Sequence, residues 1–208
     1  MIKFSSNEIR DLFISFLVIS LGFSIIYSRS NFQNIPQILP MVMVGVGLGF
    51  ILHELAHKFV AIHYNYWAEF KVWGPGLIIA LASSLFGFIF AAPGAVHIYG
   101  QYMTDRENGI ISLSGPLTNI ALSLIFLAIA LTISGNYNPL IGVSPEIFIL
   151  FQTSVLGFSI NAFLALFNLI PFSVLDGAKI FRWNPFVWII TAGVAGLMVF
   201  ASFTGLFF

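Results

Sequence analysis

The sequence lacks cysteine and is poor in charge. Without cysteine, disulfide bonds and thiolate metal sites are excluded, so a bound metal would need histidine or carboxylate ligands. Charged residues make up 8% of the chain, against about a quarter in soluble globular domains. The formal net charge is zero and no basic tract occurs, so nucleic acid is not an expected partner.

Apolar residues take the place of the missing charges. They account for 59% of the 208 residues, and the mean hydropathy is +0.98. A membrane-spanning helix needs about 20 mostly apolar residues. We therefore expect an all-α polytopic protein of the cell membrane, embedded in the lipid bilayer, with about five full transmembrane helices. The five candidate spans are residues 12–27, 40–62, 113–133, 147–170 and 186–208.

A sixth apolar stretch, residues 76–92, is short and is interrupted by Ser83, Ser84 and Gly87. Basic residues collect on the cytoplasmic side of membrane proteins. If residues 76–92 do not cross, the amino terminus is cytoplasmic and only Arg29 of the eight Lys and Arg residues lies outside. We therefore expect a re-entrant or hairpin segment on the cytoplasmic side.

Two runs beside this segment, residues 69–73 and 94–99, are rich in β-prone residues and flanked by Gly and Pro. They predict a few short β-strands, also on the cytoplasmic side. No repeat, low-complexity tract or linker occurs. The sequence therefore predicts a single membrane-embedded domain over residues 1–208, and it leaves the oligomeric state open.

The strongest chemical signal is His53-Glu54-Leu55-Ala56-His57. On a helix, His53 and His57 lie on one face and can reach one metal ion, with Glu54 beside them as a base for water. At about 1.5 Å per residue, His53 lies roughly 20 Å from the start of its span, near mid-membrane. Ionisable groups at that depth cost about 3 kcal/mol and usually have a function. The alternative is a buried hydrogen-bond network that only stabilises the helices.

A catalytic zinc usually has three protein ligands, and two nearby candidates for the third are weak. His63 has the spacing of the metzincin proteases, but Val60 stands where that pattern needs a glycine for a sharp turn. A continuing helix would carry His63 to another face. Glu69 follows His57 too soon for the downstream glutamate of thermolysin-like enzymes.

Asp176 is an aspartate that comes shortly after the fourth apolar span, and it follows a helix-breaking Pro171. Gly177 permits an unusual backbone conformation there, so this stretch can bend inward. Irregular backbone of this kind builds ion sites in membrane proteins. The alternative is that Asp176 only caps the helix that follows.

Three motifs in this order resemble the site-2 protease family of intramembrane zinc metalloproteases. The first is His53-Glu54-Leu-Ala-His57, the second is Gly115-Pro-Leu-Thr-Asn119, and the third runs from Asn168 through Pro171 to Leu175-Asp176-Gly177. The resemblance places the catalytic core at about residues 40–182. The chain departs from the family at Phe172–Val174 and at Ala178-Lys179, and it carries no PDZ or CBS domain.

The resemblance implies one Zn²⁺ per chain, held by His53, His57 and Asp176, with Glu54 activating the water at the zinc. It implies hydrolysis of a peptide bond within or near a transmembrane segment of a membrane-protein substrate. Two other functions remain open: a metal-binding membrane transporter or sensor, and an inactive relative that binds transmembrane segments without cutting them.

Further polar residues fit a substrate cleft. Asn119 and Asn168 are candidates for holding the substrate backbone or the developing oxyanion, and Asn168 lies on nearly the same helix face as Asn161. Joining helices together is an equally common task for such residues in membranes. Val96, in the strand-prone run, is expected to pair with an unwound substrate, whereas His97 is expected in the strand and not as a ligand.

Overall fold

The structure is a computed structural model that describes residues 4–28, 31–90, 93–100, 102–136 and 144–207. It confirms the all-α polytopic fold, because five helices are long and apolar enough to cross a membrane. These spans are Ser6–Tyr27, Phe32–His63, Asp105–Gly135, Pro145–Asn168 and Pro185–Thr204. Arg29, which the charge pattern places outside, is not among the described residues.

Twelve helical and strand segments follow one another in the described residues. They are α1 (Ser6–Tyr27), a 3₁₀ turn (Phe32–Asn34), α2 (Ile35–Val46), a π-helical turn (Gly47–Ile51), α3 (Leu52–His63), β1 (Trp67–Val72), α4 (Gly74–Ser84), β2 (Gly94–Tyr99), α5 (Asp105–Gly135), α6 (Pro145–Asn168), α7 (Asp176–Trp183) and α8 (Pro185–Thr204).

The expected short strands are present as one antiparallel pair, β1 and β2, in which Phe70 lies opposite Val96. The doubtful apolar stretch forms α4, whose 11 residues are too few to cross a bilayer. Ala91 and Ala92, at the end of that stretch, are not among the described residues. The strands and α4 together form a hairpin between the second and third spans.

The long helix α5 is central to the bundle. It packs against α6, α3 and α7, while α8 covers α6 and α7 from outside. Phe158 and Ile160 of α6 are fully buried in this core, whereas large apolar side chains such as Leu197 and Phe203 of α8 are exposed. An outward apolar surface suits a helix that faces lipid, because hydrocarbon surrounds it.

The chain turns sharply between α6 and α7. Residues 169–175 are irregular, and Ser173 adopts a positive φ of 52°. Gly177 is needed for close approach and not for an unusual φ, because a Cβ there would lie 2.1 Å from the carbonyl oxygen of Leu169. This turn brings the first residue of α7, Asp176, back against α3 and α5.

Candidate metal centre

Three side chains from two helices converge inside the bundle. The Nε2 atoms of His53 and His57 lie 3.0 Å apart, and Oδ2 of Asp176 lies 3.3 Å from the first and 3.0 Å from the second. All three residues are buried, and among the described residues they form a group able to hold a metal ion. The structure thus brings together the three residues that the sequence suggested as ligands.

The spacing of these atoms suits zinc. Ligand atoms at the usual distance of about 2.0–2.1 Å from a tetrahedral zinc lie about 3.3 Å from one another. The three observed separations, 3.0, 3.0 and 3.3 Å, are within a few tenths of an ångström of that value. Two imidazoles and one carboxylate also form a common catalytic zinc shell, which keeps a fourth position open.

Both imidazoles are oriented by oxygen acceptors behind them. Nδ1 of His53 lies 2.6 Å from Oδ1 of Asn119, and Nδ1 of His57 lies 2.8 Å from the carbonyl oxygen of Ile111. Since each partner is an acceptor, each Nδ1 carries the hydrogen and donates it. Each Nε2 therefore presents its lone pair to the metal position, an arrangement typical of metal-bound histidine.

Asn119 is fully buried, and its whole amide is engaged. Its Nδ2 donates to the carbonyl oxygen of Gly49 at 3.0 Å and to Oδ1 of Asn161 at 3.1 Å, while its Oδ1 accepts from His53. The Asn161 amide in turn donates to the carbonyl oxygens of Gly45 and Gly157. These contacts favour the helix-joining alternative and leave no free donor for an oxyanion.

The π-helical turn just before α3 supports this network. Its residue Gly49 offers the carbonyl that accepts from Asn119, and a Cβ on Gly49 would lie 2.6 Å from Oδ1 of Asn161. Turns of π-helix free backbone carbonyls from the regular ladder and are frequent at functional sites. The Gly-rich approach to the histidines thus allows α5 and α6 to come close.

The Asp176 carboxylate faces the histidines and does not cap its helix. Helix α7 begins at Asp176 and its N-cap residue is Leu175, so Asp176 does not hold the capping position. Burial would raise the pKa of Asp176, but His57 and His53, together with Lys179, hold that pKa well below its usual range. Lys179 Nζ lies 3.5 Å from Oδ1, the oxygen turned away from the histidines.

Glu54 is buried beside these ligands, and the three ligands line the same cleft as Glu54. The backbone N–H of Val96 meets its carboxylate, but Oε2 has no hydrogen-bond partner among the described residues. A buried carboxylate oxygen without a partner is costly unless a ligand or water uses it. Val96 and Asn168, both proposed as substrate contacts, also line this cleft.

The remaining histidines lie away from the centre. His63 and His97 are both exposed, and His97 stands in β2 opposite Glu69 of β1. The structure therefore agrees with their exclusion as ligands.

Asn168 donates to the carbonyl oxygen of Leu164 on its own helix.

Gly115 makes room for the two imidazole rings, a role that sequence reasoning missed. A Cβ at this position would lie 2.5 Å from Cε1 and Nε2 of His57 and 2.6 Å from Cε1 of His53. The spacing Gly115-x-x-x-Asn119 was the available signal, because it puts a gap and a hydrogen-bonding group one turn apart on α5. Only glycine lets α5 lie directly against both imidazole rings.

We expect Gly115→Ala to lower zinc affinity at least about tenfold, since disturbing ligand orientation commonly costs 10- to 100-fold. The added methyl group must push both rings out of position. Zinc titration of the purified protein measures the effect. Gly135→Ala on the same helix is the matched control, because a Cβ there meets nothing within 4 Å. Equal affinities for the two variants would contradict the assignment.

Comparison with known proteins agrees with this metal centre. The chain is 41% identical over 203 residues to a Methanocaldococcus jannaschii protein named "Putative zinc metalloprotease MJ0611", covering 97% of both chains. It is 30% identical over 132 residues to "Putative zinc metalloprotease Rip3" of Mycobacterium tuberculosis, covering 64% of this chain and 28% of that protein. No family model matches the chain, and no solved structure matches it significantly.

Fold and site together define a multi-pass membrane protein with a buried two-histidine, one-carboxylate metal centre. The near full-length similarity adds the family: the chain belongs to the zinc metalloproteases represented by MJ0611. Zinc is therefore the metal of this family, as the sequence predicts.

Proposed function

We propose that the protein is an intramembrane zinc metalloprotease of the site-2 type. It hydrolyses a peptide bond within or near a transmembrane segment of a membrane-protein substrate. One observation carries the proposal: a three-ligand metal centre and a Glu54 oxygen that has no hydrogen-bond partner in the described part of the chain lie buried together inside a bundle of membrane-spanning helices. A transporter or sensor would need the ligands but would have no task for this Glu54 oxygen.

The chain's own residues divide the chemistry between them. His53, His57 and Asp176 hold the metal, and zinc bound there supplies Lewis acidity that polarises the scissile carbonyl and lowers the pKa of water. Glu54 takes a proton from the attacking water on Oε2 and passes a proton to the leaving amine nitrogen. Asn119 and the Ile111 carbonyl keep both imidazoles aligned throughout.

The β2 strand is the proposed binding site for the substrate backbone. A helical substrate must unwind locally before its carbonyl can react, because its backbone groups are paired in the helix. In the unwound state it can add to β2 as a further strand. Since the N–H of Val96 points at Glu54, the edge of β2 that pairs with no strand among the described residues lies beside the catalytic group.

Val96→Pro should lower kcat/KM for a membrane substrate about fivefold. Proline removes the Val96 N–H, which meets Glu54 in this structure and is proposed to pair with the substrate backbone, and one hydrogen bond contributes on the order of 1 kcal/mol. Val96→Ala, which keeps the N–H, is the matched control and should cleave close to the wild-type rate. Initial rates with one transmembrane substrate compare the two. If both variants cleave alike, strand pairing at Val96 is wrong.

The orientation in the membrane is also proposed. A cytoplasmic amino terminus puts the hairpin with its two strands, the start of α5 and the basic end of α7 towards the cytoplasmic side. Arg106, Lys179 and Arg182 then satisfy the basic bias of that side. A reporter fused after Arg106 should be active only as a cytoplasmic reporter. Activity of an external reporter there would contradict this orientation.

The proposed activity is tested with purified protein in lipid vesicles. A single-span test substrate should be cut by the zinc-loaded protein, remain intact after chelation, and be cut again when zinc is restored. A parallel assay follows zinc entry into the vesicles. Intact substrate together with zinc flux would favour the transporter, and intact substrate without flux would favour the inactive relative.

A further inference from the structure

The outer edge of β1 is occupied by side chains of α1. A Glu8 oxygen, Oε1, accepts the backbone N–H of Phe70 at 3.1 Å, and Oδ2 of Asp11 accepts that of Val72 at 3.2 Å. Glu8 and Asp11 are three residues apart and so share one helix face. Phe70 and Val72 are two residues apart, so their N–H groups leave the strand on the same side. Two carboxylates thus stand where a neighbouring strand would.

The outer edge of β1 and the active site lie on opposite sides of the two-stranded sheet. Phe70 lies directly opposite Val96 in the two-stranded sheet. The N–H of Phe70 points outward to Glu8, and that of Val96 points outward to Glu54 on the other side. Such outward pairs belong to the non-hydrogen-bonded positions of an antiparallel ladder. The sheet therefore fills the space between two carboxylates, one structural and one catalytic.

A buried ion pair joins Glu8, on the outer side of β1, to helix α3. Oε2 of Glu8 pairs with Nζ of Lys58, and both residues are only 1% exposed. Lys58 follows Glu54 by four residues, so the two lie one turn apart on the same helix face. Helix α3 thus touches the sheet directly through Glu54 and a second time through Lys58 and Glu8.

We propose that Glu8 and Asp11 are positioning residues that set the place of β2 relative to Glu54. Helix α1 lies outside the predicted core at 40–182. Its two carboxylates accept the β1 N–H groups that a third strand would otherwise pair with. Because these carboxylates occupy the β1 edge, an incoming substrate strand can add only at β2, beside Glu54. The inference rests on the proposed function, since it assigns the geometry of the substrate strand in that reaction.

Asp11 offers the sharper test, since Asp11→Asn keeps an acceptor for Val72 while Asp11→Leu removes it at similar size. We expect Asp11→Leu to raise KM for a transmembrane substrate roughly tenfold, the value of a hydrogen bond to a charged group. Asp11→Asn should stay within about threefold of wild type. Zinc content should be unchanged in both. Arg10→Gln is the control, since it removes only the Arg10–Asp11 ion pair.

Amide hydrogen exchange tests the contact between Asp11 and the Val72 N–H without any cleavage assay. In metal-loaded protein, amides of residues 67–72 should exchange at least about tenfold faster in Asp11→Leu than in Asp11→Asn, with α5 and α6 unchanged. A general loss of stability would instead speed exchange in all helices. Equal exchange and equal KM in the two variants would overturn the inference.

Glu8 is tested in double variants that also replace Lys58, because removing only one member of a buried ion pair could prevent folding. Glu8→Gln with Lys58→Met keeps the acceptor for Phe70, whereas Glu8→Leu with Lys58→Met removes it. We expect a higher KM only for the second pair, and identical KM values would count against the inference. Wild-type protein that cuts no transmembrane substrate would refute the proposed function, which the exchange measurement does not require.

Discussion

Replacing Glu54 with glutamine is expected to lower kcat at least about 10²-fold while leaving one zinc bound per chain. Glutamine has the same size and still accepts the N–H of Val96, so the cleft keeps its shape. It cannot take up the proton of water, and general acid–base catalysis typically contributes 10²- to 10⁴-fold. Glu54 is not one of the three grouped metal ligands, so zinc affinity should hold.

Single-turnover cleavage and zinc content, measured on the same preparation, distinguish a role of Glu54 in proton transfer from a role in zinc binding. His63→Gln is the matched control, because His63 is on the same helix but exposed and away from the centre. It should cut at the wild-type rate. Glu54→Gln protein that cuts equally fast with zinc bound would remove Glu54 from the chemistry.

Asp176→Ala is expected to lower zinc affinity more than about 100-fold. Residues that only orient metal ligands already account for 10- to 100-fold in affinity, so loss of a direct ligand must exceed that range. The two histidines alone also leave zinc short of a catalytic shell. Proteolysis should be lost together with the metal, in contrast to Glu54→Gln, where only proteolysis is lost.

The measurement is zinc content after dialysis against a weak chelator, followed by titration with zinc. Asp105→Ala is the control, because Asp105 is an exposed residue in the first turn of α5. It should keep wild-type zinc. If Asp176→Ala protein also keeps one zinc at wild-type affinity, the third ligand has been assigned wrongly.

Hydropathy predicted the five spans but not their ends. Helix α5 was expected from residue 113 and begins at Asp105, where Thr104 and Glu107 form a capping box. Helix α1 likewise begins at Ser6, because Ser5 accepts the Glu8 N–H. Polar caps and first turns carry no apolar signal, so a search for apolar runs starts each helix too late.

The candidate ligands could be chosen from local pattern, but their surroundings could not. His53 and His57 are one helical turn apart, so their meeting follows from spacing alone. The orientation of those rings by Asn119 and Ile111 depends on how α5 crosses α3. That crossing is set by close approach at Gly115, a three-dimensional fact that no local period of the sequence records.

The partnership of Glu8 with Lys58 was missed for a related reason. The two residues are 50 positions apart, and each looks like an ordinary polar residue at the end of an apolar run. Lys58 directly follows the histidine motif, and the charge pattern predicted it on the cytoplasmic side of the membrane. In the structure its side chain is almost fully buried. Pairing inside the bundle, and not exposure, accommodates this charge.

The most direct test of the central claim is mass-spectrometric mapping of the bond cut in a single-span membrane substrate. Purified zinc-loaded protein in vesicles should produce one pair of fragments whose new ends lie within or next to the transmembrane segment. Glu54→Gln protein, with its zinc retained, should leave the substrate intact. Cleavage only in distant soluble loops, or the same cut by both proteins, would contradict intramembrane proteolysis at this centre.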